Sequence, residues 1–261
     1  MLIYPSIDPV IISFTETIQV RWYGLLYVIG FALAFILMTY RAKRQSWPNW
    51  TQDLQFDLFF YIAVGVILGG RVGYGLFYHP EWLIQKPLML IQVWLPGRSF
   101  HGGLVGVILA LSYFAWAKKM AFWEVADRVV PFVPIGLACG RLGNFINGEL
   151  WGRPTDMPWG MVFPHVDGLA RHPAQLYGVL LEGGLLFLLL WLFSRRPKPT
   201  GAIASLFLLG YGLIRIFEEC FRQPDAELGY VAFGWMTQGQ LLCIPMVVFG
   251  LGYLIWLNKT K

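Results

Sequence analysis

Residues 140–152 read Gly140-Arg141-Leu142-Gly143-Asn144-Phe145-Ile146-Asn147-Gly148-Glu149-Leu150-Trp151-Gly152. They bring a guanidinium, two carboxamides, a carboxylate and four glycines to the end of an apolar run that begins near Val129. If a helix continues through them at about 100° per residue, Arg141, Asn144 and Gly148 fall within roughly 60° of one another, with Glu149 close by. A second charged stripe lies near 201–221. There Tyr211, Arg215, Glu218 and Arg222 share an arc of roughly 60°, with Glu219 at its edge. Glu219 and Arg222 can pair at i,i+3, whereas Arg215 lies deeper and needs a partner from elsewhere. Charge inside a membrane helix is expensive and is kept where it faces a cavity or a polar partner. Two deep arginines without equally deep carboxylates suggest an anion, and an arginine fork matches phosphate oxygens.

These groups need a scaffold, and the composition says which kind. The chain has 261 residues, 57% hydrophobic and 13% charged, where a soluble chain carries about 25% charged. Seven stretches are long enough to cross a bilayer, which takes about 20 apolar residues each: near 19–40, 56–78, 100–118, 129–149, 175–194, 201–221 and 238–257. The expected fold is an all-α integral membrane protein, a bundle of seven transmembrane helices in a single membrane domain spanning 1–261. Residues 1–18, broken by Pro5, Asp8 and Pro9, read as a segment lying at the outer interface. The stretch 79–99, with Pro80, Pro87 and Pro96, reads as an outer loop, and 150–174 as the longest one.

The net charge of +5 is not a nucleic-acid signature, because its distribution follows the connections. Arg41, Lys43 and Arg44 follow the first span, and Lys118, Lys119 and Arg128 the third. Arg195, Arg196 and Lys198 follow the fifth, and Lys259 and Lys261 the seventh. The positive-inside rule makes that side cytoplasmic, with the amino terminus outside and the carboxyl terminus inside. The amino terminus lacks a basic n-region and does not read as a removable signal peptide. Tyr23 and His101 then begin helices that enter from outside, while Arg71, Arg141–Glu149, Glu182, Arg215–Arg222 and Gln240 lie in outward halves. The polar cavity faces the outer leaflet, at a depth suited to an anionic lipid head group.

Each polar residue also has a structural reading. Tyr23 sits where aromatic residues anchor helices at the interface. His101, between Ser99 and the glycines at 102, 103 and 106, can be a helix-start histidine bonded to backbone, or can use the thin wall beside it to meet a ligand. The glycines at 65, 69 and 73 let helix backbones approach closely. Glu182 reads as a salt-bridge partner for Arg71 or Arg141. Cys139, Cys220 and Cys243 are isolated, with no metal-site spacing. A transporter would want broken helices near the midplane, and a protease a nucleophile or metal constellation. Neither is visible, and the one-sided polarity argues against a small-solute transporter, so a non-catalytic lipid-binding membrane protein stands ahead of a transporter as the alternative reading.

Phe100-His101-Gly102-Gly103, the 140–152 motif, Arg171-His172-Pro173-Ala174-Gln175-Leu176-Tyr177 and Arg222-Gln223-Pro224-Asp225 together resemble the bacterial prolipoprotein diacylglyceryl transferases. The resemblance runs over nearly the whole chain. It implies a cytoplasmic-membrane enzyme that moves the diacylglyceryl group of phosphatidylglycerol onto the lipobox cysteine of a prolipoprotein signal peptide. The products would be a thioether and glycerol 1-phosphate, in the first step of lipoprotein maturation. It also implies that Tyr23, His101, Arg141, Asn144, Glu149, Gly152, Arg215, Glu219 and Arg222 are functional. On that basis His101 is the expected base, and Arg141 and Arg215 hold the phosphate. Asn144, Tyr23 and Gly152 join in lipid binding, and Glu149, Glu219, Arg222 and Tyr211 support them. No metal, nucleotide or organic cofactor is expected, because the lipid carries its own leaving group.

Overall fold

The computed structural model describes residues 2–15, 19–95, 97, 99–224 and 229–260. Pro96, Asp225 and Lys261 lie outside the described residues. In chain order the elements are β1 (Leu2–Ile3), β2 (Val10–Ser13), β3 (Gln19–Arg21), α1 (Trp22–Gln45), α2 (Gln52–Tyr78) and α3 (Trp82–Gln85). There follow α4 (Phe100–Ala117), α5 (Phe122–Val129), α6 (Val133–Ile146), β4 (Met161–Val162) and β5 (Ala170–Arg171). The last are α7 (Ala174–Gly178), α8 (Leu186–Phe193), α9 (Ala202–Glu219) and α10 (Gln238–Lys259). The fold is mainly helical, as expected, with two small sheets that the sequence did not announce. The chain divides into two compact units, residues 1–37 with 129–261, and residues 38–128.

Among the described residues, five stretches are long and apolar enough to cross a membrane: Trp22–Gln45, Gln52–Leu76, Phe122–Ile146, Ala174–Phe193 and Gln238–Lys259. The other two expected spans are helical but differ in kind. The apolar part of α4 is the shorter His101–Ala117, and α9 carries Arg215, Glu218 and Glu219 in its last turns. The fourth span starts earlier than Val129, because α5 and a 3-10 turn at Val130–Phe132 lead into α6.

In the unit of residues 38–128, α2 and α4 pack backbone to backbone. A Cβ on Gly69 would stand 2.5 Å from the Gly102 carbonyl oxygen and 2.8 Å from Gly106 Cα, so no side chain fits there. Thr51 and Ser99 cap the two helices, accepting from the Leu54 and Gly102 amides. Arg71 is buried. It donates to the Met89 and Gly97 carbonyls at 3.0 and 3.4 Å and lies 5.1 Å over the Trp82 ring. Glu182, expected beside Arg71 or Arg141, pairs with Arg141, and backbone carbonyls and an aromatic face meet Arg71.

In the other unit, the described residues of the first eighteen carry strands. β1 pairs in parallel with β4, and β4 antiparallel with β5, while β2 and β3 form a hairpin. Tyr4, Phe145, Met161 and Phe163 form a buried apolar cluster that fastens this sheet to the end of α6. The Tyr4 hydroxyl donates to the Ile146 carbonyl at 2.8 Å, satisfying one of the orphan carbonyls of the last helical turn. The sheet thereby fixes the segment that follows α6.

Candidate active site

Helix α6 does not continue through the 140–152 motif. It stops at Ile146, and Gly148 and Leu150 adopt left-handed backbone with φ of 65° and 59°. Gly148 meets that need without strain. A Cβ at Gly148 would in any case stand 2.7 Å from His165 Cε1, and His165 Nε2 is bonded to the Gly148 carbonyl at 2.8 Å. The turn folds Glu149 back over the helix end. Its carboxylate accepts from Asn144 Nδ2 at 2.8 Å and from Asn147 Nδ2 at 3.2 Å, and its carbonyl from Gln175 Nε2 at 2.7 Å. Asn144 and Glu149 therefore meet through a reverse turn, where a continuing helix was expected to bring them together.

Arg141, one turn earlier, is gripped by a residue 41 positions away. Its Nε and Nη2 donate to the two carboxylate oxygens of Glu182, both at 2.7 Å. Glu182 has 0% exposure. It sits in a π-helical segment, Val179–Leu185, set between α7 and α8. Such wider turns recur at functional sites because they re-aim side chains. Gly178 opens the way. A Cβ there would lie 2.8–2.9 Å from Arg141 Cδ, Cγ and Nε, so the arginine side chain crosses the helix only over a glycine.

The network continues onto α9. Arg215 Nη1 lies 3.7 Å from Glu182 and 3.6 Å from Glu218, and its Nη2 is bonded to Glu219. Arg222 Nη1 reaches the same Glu219 oxygen at 3.1 Å. Arg215 thus finds a partner on its own helix as well as one from elsewhere. Carboxylates as deep as the arginines are present, which overturns the expectation that the deep arginines lack them. The ion pairs nonetheless leave donors over. Glu182 occupies the Nε–Nη2 edge of Arg141 and not its Nη1, so the guanidinium is locked in orientation with one nitrogen to spare. Tyr211, one turn from Arg215, is close enough to Arg141, Glu182 and Arg215 to feel their charges, and Tyr23 likewise to Arg141 and Glu149. Tyr23 packs on Gly143, where a Cβ would meet its ring at 2.6 Å.

Gly152 serves a stitch between three strands of chain. Its amide donates to the His172 carbonyl at 2.9 Å, the Arg153 amide donates to the Phe221 carbonyl at 2.8 Å, and Gly152 bridges to Arg222. A Cβ at Gly152 would lie 2.5 Å from the His172 carbonyl oxygen and 2.7 Å from that of Phe221. Arg153 Nη2 donates to the carbonyl of Glu219, the last residue of α9, at 3.4 Å, and its Nε to the Arg222 carbonyl just beyond the helix at 3.0 Å. In the same loop Arg171 holds Asp167 in an ion pair. That bond keeps the Asp167 carboxyl below the usual carboxylate range. Burial pushes the His172 imidazole below its ordinary value, and its Nδ1 pairs with the Tyr177 hydroxyl at 2.9 Å.

Hydrogen bonds, ion pairs and close charges therefore link Tyr23, Arg141, Asn144, Glu149, Gly152, Tyr211, Arg215, Glu219 and Arg222 into one largely buried network. His101 belongs to the other unit, where it is exposed in the first turn of α4, two residues after the Ser99 cap. The Arg141–Glu182 pair is one of the two partnerships expected for Glu182, and Glu218 lies beside Arg215 as its spacing implied, whereas Gly178 was not singled out. The sequence does hold a signal for it, a glycine four residues before a lone glutamate that two further glycines follow. All three cysteines are free, and no group of three or more metal-ligating side chains occurs among the described residues.

Residues 9–256 match the family model described as prolipoprotein diacylglyceryl transferase. The chain belongs to that family. It is 53% identical, over the whole of both chains, to the phosphatidylglycerol–prolipoprotein diacylglyceryl transferase of Legionella pneumophila strain Corby. It is 51% identical to the protein of that name from Methylococcus capsulatus, covering 96% of this chain and 95% of the relative. To the one from Pseudomonas aeruginosa strain UCBPP-PA14 it is 50% identical, covering 98% and 96%. Family membership and the apolar helices together make this a multi-pass membrane protein.

Proposed function

We infer that this chain is a phosphatidylglycerol–prolipoprotein diacylglyceryl transferase, and that the Arg141–Glu182–Arg215 cluster is its phosphate site. The observation that carries the second part is the bidentate Arg141–Glu182 pair with Arg141 Nη1 left over. A buried guanidinium held by one edge presents the other edge to an oxyanion without reorganising during the reaction.

The reaction is a displacement. The cysteine sulfur of the prolipoprotein forms a bond to the terminal glycerol carbon of the lipid, and the bond from that carbon to the phosphate oxygen breaks. Glycerol 1-phosphate leaves with the electron pair, and the thiol proton passes to a base and then to the phosphate. A free thiol ionises near pH 8.5, so a base at neutral pH raises the nucleophile's population. His101 is the residue we assign to that task. Arg141 and Arg215 stabilise the charge growing on the leaving phosphate. Asn144 and Tyr23 bond the glycerol and phosphate oxygens. Glu149 orients Asn144, Glu219 and Arg222 orient Arg215, and Tyr211 lines the site. Gly152 keeps the loop over the site close to the end of α9.

The same reading includes seven passes through the bacterial inner membrane as one membrane domain. The amino terminus and the loop 150–174 are periplasmic and the carboxyl terminus cytoplasmic, with the site open to the outer leaflet. It is supported by the basic connections at 41–44, 118–128 and 195–198. The substrate peptide carries a lipobox cysteine. Purified protein given labelled phosphatidylglycerol and such a peptide should yield a peptide heavier by one diacylglyceryl group and an equal amount of glycerol phosphate. A serine-for-cysteine peptide should yield neither. Lipid binding without glycerol phosphate release would leave a non-catalytic lipid-binding protein as the better account.

A further inference from the structure

In the unit of residues 38–128, the α1–α2 and α4–α5 connections face each other across a cavity of about 360 Å³. Asn49, Lys118, Lys119, Met120, Glu124 and Arg128 are among its lining residues. Lys118 Nζ is 2.6 Å from Asp57, and Arg128 Nη2 is 2.6 Å from Glu124. The three lining cations thus meet two carboxylates, and Lys119 forms no ion pair among the described residues. Lys119 is held in left-handed backbone with φ of 53°, which a lysine rarely adopts. Behind Arg128 stand two tryptophans. Its guanidinium lies 4.8 Å over Trp50 and 5.4 Å over Trp47. Those rings also line a second cavity of about 220 Å³, together with Lys43.

Basic pockets between helix ends, beside tryptophans at the headgroup level, suit the head group of an anionic lipid. Exposed apolar side chains continue from this end along the helices, Phe56 on α2 and Tyr113 and Trp116 on α4. They offer acyl chains a flank that a free phosphate would not use. The cavity lies about 25 Å along α4 from His101 at the helical rise.

We propose that this cavity binds the phosphate-bearing head group of an anionic phospholipid that is retained and not turned over. On the topology given above, that lipid belongs to the cytoplasmic leaflet. The site itself does not depend on the transferase reading.

The test uses the full-length protein in an uncharged detergent, with bound lipid counted by native mass spectrometry. The probes are phosphatidylserine, phosphatidylcholine and inorganic phosphate. The wild type should retain one phosphatidylserine in preference to phosphatidylcholine, and excess phosphate should not displace it. Removing one lysine charge near the surface should weaken binding about fivefold, so Lys119→Gln should raise the Kd by that factor and Lys119→Glu by roughly thirtyfold. Both variants should keep normal transfer activity, which also shows that they fold. Equal phosphatidylserine retention in the wild type and both variants would overturn the site. Displacement by inorganic phosphate would overturn its assignment to a lipid.

Discussion

Replacing Glu182 with glutamine tests whether the buried carboxylate orients the phosphate-binding arginine. Glutamine keeps the size of the side chain but removes the charge, and it can accept at only one of the two oxygens that Arg141 now uses at 2.7 Å. Removing one partner of a buried ion pair destabilises by about 3–5 kcal/mol, because the other charge stays buried and uncompensated. Here the Arg141 side chain keeps 17% exposure and Arg215 retains Glu218 and Glu219, so the lower end applies, about 3 kcal/mol. For a chain of this size that corresponds to a melting temperature lower by about 6–12 °C. The assay is thermal unfolding in detergent, read beside single-turnover transfer with lipid saturating. A second variant separates structure from chemistry. Arg141→Met with Glu182→Leu replaces the pair by apolar groups, which is often neutral or stabilising. It should melt near the wild type and yet remain inactive. Glu182→Gln melting within about 2 °C of the wild type would refute the argument that the pair orders the site. An active double variant would refute the phosphate role of Arg141.

Arg141→Lys should lose most of its turnover although the charge is kept, since lysine cannot hold Glu182 by two nitrogens and still offer a third; Arg215→Ala should lose at least as much, and near-normal rates in both would count against the phosphate site. His101→Gln should lower single-turnover transfer by about 10²–10⁴-fold, with the residual rate rising with pH as the thiol ionises unaided; a profile parallel to the wild type would remove His101 as the base. A Cys139, Cys220 and Cys243 triple serine variant that folds should keep its activity, because the nucleophile belongs to the substrate; loss without misfolding would indicate a covalent enzyme intermediate. The Asp167 carboxyl, held low by Arg171, supports the 150–174 loop above its unfolded value near pH 3.9 and loses that support as pH falls through the lower folded value. The protection of the loop amides, each exchange rate taken relative to its intrinsic rate at that pH, should therefore stay constant from about pH 7 to 5 and fall only below about pH 4 in the wild type. If Asp167→Asn shows the same acid loss of protection, the pair is not its cause.

The sequence alone determined what depends on local pattern. Apolar length marked the helices, because a bilayer imposes one scale on every span. Glycines four apart marked the face along which α2 and α4 meet, because only absent side chains let two backbones touch. Helical arithmetic brought Arg215, Glu218 and Glu219 to one side of α9, and the ion pairs there follow it, while Arg222 lies past the helix end and reaches Glu219 from the following turn. Tertiary structure decided what local pattern does not encode. Strands of two residues at Leu2–Ile3, Met161–Val162 and Ala170–Arg171 are too short to show alternation and exist because distant segments pair. The end of α6 at Ile146 is set by the left-handed turn at Gly148 and by Tyr4, a residue 142 positions away. The pairing of Arg141 with Glu182, across 41 positions, requires a π-helical turn on one helix and the bare backbone of Gly178 beneath the arginine. A lone glutamate in an apolar run says that it must find a cation, since burial of an unpaired charge is prohibitive. Which of the arginines it finds is fixed only when the helices have packed.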